Sequence, residues 1–194
     1  MDITKDQIEK IKQLSLDFYK KLDFAHNVEH MNKTVKIAEF IAKRENANLE
    51  IVRLGAMLHQ FHDNIDELKE FLETLNLEPK IMEWLVECVE FRPHNKPPKK
   101  EASIEAKVVY DADALQVLGP YGLIRKIACN TKARGKSLDK SIQDARKIEK
   151  LFFDSLQTET AKKIIEGPHE VMKDFWKIYN NWVNDDFCQA SRVI

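Results

Sequence analysis

Apolar residues recur every three or four positions through most of this chain, the period of half-buried helices. Thr4 and Gln7 stand at capping-box spacing, and Ile8, Ile11, Leu14 and Phe18 then predict a first helix reaching to about residue 21. Val28, Met31, Val35, Ala38 and Ala42 mark a second, with His30, Thr34, Ile37 and Ile41 on the adjoining stripe, so His30 stands on or beside a buried face. Leu49, Val52, Ala56 and His59 lie along one side of a third, which His59 nearly ends.

Asn64, followed by Glu67 three residues later, is placed to cap a fourth helix carrying Ile65, Leu68, Phe71, Leu72 and Leu75. Pro79 suits the first turn of a fifth, with Ile81, Met82, Leu85, Val86 and Val89 inward. Three prolines between residues 92 and 100 forbid helix and predict an exposed loop containing His94. A helix follows over residues 102–118, then a Gly-Pro turn and a stretch with Tyr121, Ile124 and Ile127. Two late helices are expected, over about 138–155 and 158–182, the second interrupted or kinked at Gly167-Pro168, with His169 beside the kink as an ordinary exposed histidine. Trp84, Trp176 and Trp182 fall at helical spacing and read as core.

With 43% hydrophobic and 32% charged residues and only 5 glycines and 6 prolines in 194 positions, the chain reads as all-α, one helical domain over residues 1–194. Lysine plus arginine is 31 against 32 for aspartate plus glutamate, a balance that calls for neither nucleic acid nor anionic membrane. The start lacks an apolar signal region, no apolar run approaches the roughly 20 residues that span a bilayer, and the three cysteines form no CxxC pair. Reduced thiols in a cytoplasmic protein follow as the expectation.

The chemistry concentrates in two places. His26 and His30 flank the start of the second helix, and His59, His62 and Asp63 crowd the end of the third. In the second place, Asp111 and Asp113 follow Val108, Val109 and Tyr110, an apolar setting in which acids are costly unless hydrogen-bonded, paired or metal-bound. Helices that each bring one imidazole can share a divalent ion if a carboxylate completes the shell. The residues alone equally allow histidines bonded to backbone carbonyls and aspartates that cap or pair.

His26-x3-His30, then residues 56–60 (AMLHQ), then residues 111–125 (DADALQVLGPYGLIR), resemble in order and spacing the HD-domain superfamily of metal-dependent phosphohydrolases. The motif-bearing core covers about residues 20–130, and the helices of about 137–186 are similar to the C-terminal part of the small stand-alone members. The resemblance implies an all-helical bundle whose metal ligands map to His30, His59, position 60 and Asp111. The chain departs from the family at the name-giving aspartate, where it has Gln60, and Asp63, four residues after His59, is a candidate replacement. Asn27 and Gln116 likewise stand where acids are usual, and a histidine common near Val89 is missing, with Arg92 nearby. Lys33 keeps a cation able to face phosphate, and Arg125 is similar to an arginine that would hold Asp113 or a substrate phosphate.

Three functions remain open. The first is a phosphohydrolase or phosphodiesterase acting on a nucleotide or other phosphate ester with manganese, magnesium, iron or cobalt. The second is a degenerate HD module that binds a phosphate-containing ligand without turnover, and the third a helical interaction protein with satisfied core polar groups.

Overall fold

The structure, a computed structural model, describes residues 3–93 and 101–184. Among them the helices are α1 (Lys5–Tyr19), α2 (Val28–Glu45), α3 (Leu49–Leu58), α4 (Ile65–Thr74), α5 (Pro79–Glu90), α6 (Ile104–Ala114), α7 (Gly119–Ala128), α8 (Leu138–Asp154) and α9 (Glu159–Val183), and no strand occurs. His94 and Cys188 lie outside the described residues.

The start signals act as their chemistry requires. Thr4 and Gln7 form a reciprocal capping box, Asn27 and Asn48 cap α2 and α3 through their side-chain oxygens, and Pro79 opens α5. Asn64 does precede α4, but its side chain makes no capping bond.

Helix α3 is the centre of the fold. Ile51, Val52, Leu54, Ala56 and Leu58 are buried there, and α2, α5 and α6 all pack on it. Gly55 permits the closest approach, since an added Cβ would come within 2.8 Å of the Cys88 side chain on α5. The core continues through Ile11 of α1, Leu68 and Leu72 of α4, and Ala161 and Ile165 of α9. Each fully buried leucine contributes about 1.5–3 kcal/mol against exposure.

Helix α3 stops at Leu58, near its expected end, and tightens into a 3-10 segment, His59–Asp63, whereas α6 stops at Ala114, short of the expected residue 118, and does the same over Leu115–Val117. Helix α9 runs uninterrupted through Pro168. Of the tryptophans, Trp176 is buried, Trp84 half-buried, and Trp182 is 60% exposed. His169 is half-buried and stacked on Phe153 at 3.7 Å between ring centroids.

Candidate metal centre

Helix ends deliver the site. His30 sits in the first turn of α2, where the Asn27 side chain accepts from its backbone N–H at 3.2 Å. His59 is the first residue after α3, and Asp113 stands near the end of α6. Both imidazoles are buried, and their Nε2 atoms face each other at 3.1 Å. Asp113 Oδ1 lies 3.3 Å from His30 Nε2 and 3.6 Å from His59 Nε2.

The bonds behind each ring fix where its proton is. His59 Nδ1 lies 2.7 Å from the Ala56 carbonyl, which only accepts, so Nδ1 carries the hydrogen. The Tyr19 hydroxyl, fully buried, also lies 3.0 Å from that nitrogen. For His30 the argument runs through three groups. The Thr34 hydroxyl donates to the His30 carbonyl at 2.9 Å and accepts from the Gln116 amide nitrogen at 2.7 Å. The Gln116 amide therefore turns its oxygen to His30 Nδ1, 3.0 Å away, and that nitrogen must donate. Both Nε2 atoms consequently present lone pairs to the same point.

Electrostatics sharpen the conflict. Burial pushes the His30 pKa down, although Asp113 opposes it. Against its burial, hydrogens donated by His30 and His59 would hold the Asp113 carboxyl well below the usual carboxylate range; with both Nε2 atoms bare, that role falls to a cation. One carboxylate and two bare nitrogens then converge, an arrangement that costs free energy unless a cation stands among them. All three donor atoms lie within 4.8 Å of one another, and two imidazoles with a carboxylate suit a divalent ion of the manganese-to-zinc series. Partners that orient each ring through its other nitrogen are the support such ligands need. The residues fit a metal.

Two more groups border this point. The Gln60 amide nitrogen lies 3.0 Å from His59 Nε2 and 3.5 Å from His30 Nε2, so its hydrogens face both lone pairs, and turning the amide over would present its oxygen instead. Arg92 reaches Asp113 Oδ2 at 3.5 Å and donates to the His59 carbonyl at 2.9 Å and to His62 Nδ1 at 2.8 Å. Its buried Nε has no partner among the described residues. Burial and the Arg92 charge push the His62 pKa down.

The remaining expected residues stand elsewhere. Asp111 is fully buried but turns to the N-terminus of α9, accepting from the backbone N–H of Gln157 at 2.9 Å and from the N–H and hydroxyl of Thr158, both at 2.7 Å. Its burial outweighs these donors and raises its pKa to about 6. The carboxylate expected at Asp111 is thus supplied by Asp113, because residues two apart on a helix point about 200° away from each other. Asp63 is no replacement ligand in this structure: it sits in the 3-10 segment, its side chain 88% exposed and 3.5 Å from His62 Nε2. Lys33 lays its ammonium over the Tyr121 ring at 3.7 Å. Arg125 donates to the carbonyls of Ala25 and Gln116, stitching α7 to the connection before α2 and to the turn after α6 rather than meeting Asp113.

Sequence reasoning also missed Tyr19 and Thr34 as supports of the two rings. Tyr19 ends α1 on its apolar side, a position where a tyrosine reads as core, and Thr34 was visible only as a neighbour of His30 on one stripe.

No family model matches the chain. It is 27% identical over 165 residues to YpgQ, an uncharacterised protein of Bacillus subtilis, an overlap of 77% of this chain and 80% of that one. The crystal structure of YpgQ in complex with ADP aligns with a TM-score of 0.69 at 26% identity over 89% of this chain and 92% of that one. An HD-superfamily hydrolase from Bacillus thuringiensis aligns with a TM-score of 0.70 at 26% identity, covering 93% and 98%. A Lactobacillus plantarum protein, at 21% identity, shares the fold with a TM-score of 0.80 over 94% and 100%.

Proposed function

Given that this chain folds as a member of the HD superfamily, we propose that it is a metal-dependent phosphohydrolase or phosphodiesterase acting on a nucleotide or another small phosphate ester. The observation that carries the reading is the convergence of His30, His59 and Asp113, three acceptors whose neighbouring cation, Arg92, meets only the outer Asp113 oxygen at 3.5 Å. In this reading they hold one divalent ion, manganese, magnesium, iron or cobalt, and Gln60 lends its carbonyl oxygen after the amide turns over. Such an ion supplies Lewis acidity toward a phosphoryl oxygen and toward water.

The chain's other residues bind and orient. Arg92 places a positive charge beside Asp113, where phosphoryl oxygens would be drawn. Arg125 is a positioning residue, holding the Gln116 backbone whose side chain orients His30. Lys33 is exposed and can leave the Tyr121 ring to meet an anionic substrate. The bound ADP in YpgQ supports a nucleotide as the ligand class.

Gln60 favours a second reading. Its amide hydrogens face both imidazole lone pairs and relieve part of the conflict that would otherwise demand a metal, as suits a module that binds a phosphate ligand without turning it over.

The test is calorimetric titration of chelator-treated protein with Mn2+, alongside hydrolysis of a nucleotide panel and a generic phosphodiester. We expect one manganese bound at this centre and turnover that requires it, tighter binding in Gln60→Asp by roughly 10-fold to 100-fold, and neither binding nor turnover in His59→Ala. No metal binding and no turnover in the wild type, with a nucleotide still bound, would select the second reading. Absence of metal binding in both wild type and Gln60→Asp would overturn the first.

A further inference from the structure

A second set of metal-ligating side chains meets among the described residues: Asp23, His26 and Cys129, with donor atoms within 4.8 Å of one another. They come from segments far apart in the chain, Asp23 and His26 from the connection between α1 and α2, and Cys129 from the end of α7. His26 Nδ1 lies 2.9 Å from Asp23 Oδ1, and that oxygen also accepts from the backbone N–H of Ala25 at 2.8 Å and of His26 at 3.1 Å, which fixes the carboxylate.

Cys129 opens a π-helical turn, Cys129–Ala133. Bulges of that kind shift a helix's register and are frequent at functional sites. The thiol is only 3% exposed and forms no disulfide among the described residues. Asn130, the next residue, is fully buried and has an amide nitrogen with no partner among the described residues.

An exposed Asp-His pair needs no third group, and a buried cysteine needs no partner. Neither habit accounts for a thiol, an imidazole and a fixed carboxylate oxygen meeting at one place. That donor set, with its soft sulfur, is the one zinc takes, three protein ligands leaving a fourth position for water. The His30–His59–Asp113 group has no sulfur, so the two sites differ in the ions they favour, although the His26 ring stands edge-on to His30 with 5.9 Å between centroids.

We propose that Asp23, His26 and Cys129 form a second metal site, for zinc or a similar thiophilic divalent ion. On binding, the Cys129 S–H bond breaks, its proton leaves to solvent, and the thiolate sulfur ligates the ion with no change of oxidation state. The ion ties the connection that ends in the Asn27 cap of α2, and therefore in His30, to the far end of α7.

Cobalt is the probe, because a thiolate-to-cobalt charge-transfer band in the near ultraviolet reports sulfur ligation and nothing at the sulfur-free first centre. Titrating chelator-treated full-length protein with Co2+ should raise that band to the amplitude of one thiolate-bound cobalt per chain, reached by two added equivalents where the first centre also takes cobalt. The band should persist in His59→Ala and Cys188→Ser, disappear in Cys129→Ser, and need at least ~10-fold more cobalt in Asp23→Asn and His26→Gln. On the unmodified chain, zinc should abolish the band by displacement and protect Cys129 from alkylation by iodoacetamide. No band in the wild type, a band surviving in Cys129→Ser, or alkylation of Cys129 indifferent to zinc would each overturn the proposal.

Discussion

Asp111 and Asp113 share a helix and two residues of sequence, yet one anchors the N-terminus of α9 and the other faces the imidazoles. Substitution should separate these tasks. Asp113→Asn should abolish Mn2+ binding in calorimetry while leaving the fold intact. Asp111→Ala should keep the Mn2+ site but strand the buried N–H groups of Gln157 and Thr158, costing about 2–4 kcal/mol in urea denaturation. The choice between the two carboxylates was hard to read from sequence because α6 is buried almost all round, so no apolar face indicates which acid turns inward. His30 and His59 were easier to bring together, since each ends or starts a strongly amphipathic run. Gln60 should show its two faces in melting temperature. Gln60→Asp removes the amide hydrogens that face both Nε2 atoms and adds a charge, so the metal-free protein should melt lower than wild type, and the manganese-loaded protein higher.

At the scale of elements, capping chemistry and proline placement in the sequence located most helix starts, because those signals act locally. Stops were less legible. The ends of α3 and α6 tighten into 3-10 turns that carry His59, Gln60 and Gln116, and nothing in residue type distinguishes such a turn from continued helix. Pro168 was expected to interrupt or kink α9, and it does not interrupt it; its ring packs toward Gly119, where an added Cβ would come within 3.0 Å. Gly122 is the most demanding position. A Cβ there would run into the backbone of Val117, which cannot swing aside as a side chain can. Gly122→Ala should therefore destabilise the protein by about 1–3 kcal/mol or more, read from the denaturation midpoint, by forcing α7 off the turn that follows α6.

For the molecule as a whole, the all-helical class follows from the helical period and the scarcity of glycine and proline, and no described helix is long and apolar enough to cross a membrane. Long-range placement, such as α9 reaching back to Asp111, depends on contacts between segments that no local pattern encodes. If a metal completes the buried acceptor cluster, it also stabilises the folded chain by mass action, about 2.7 kcal/mol at a free concentration 100 times its Kd. The most direct test of the whole account is nucleotide hydrolysis by chelator-treated protein as Mn2+ is added back, with Asp113→Asn measured in parallel. The account predicts turnover that rises with manganese occupancy and is absent in Asp113→Asn. Turnover that ignores both chelator and Asp113→Asn would contradict it.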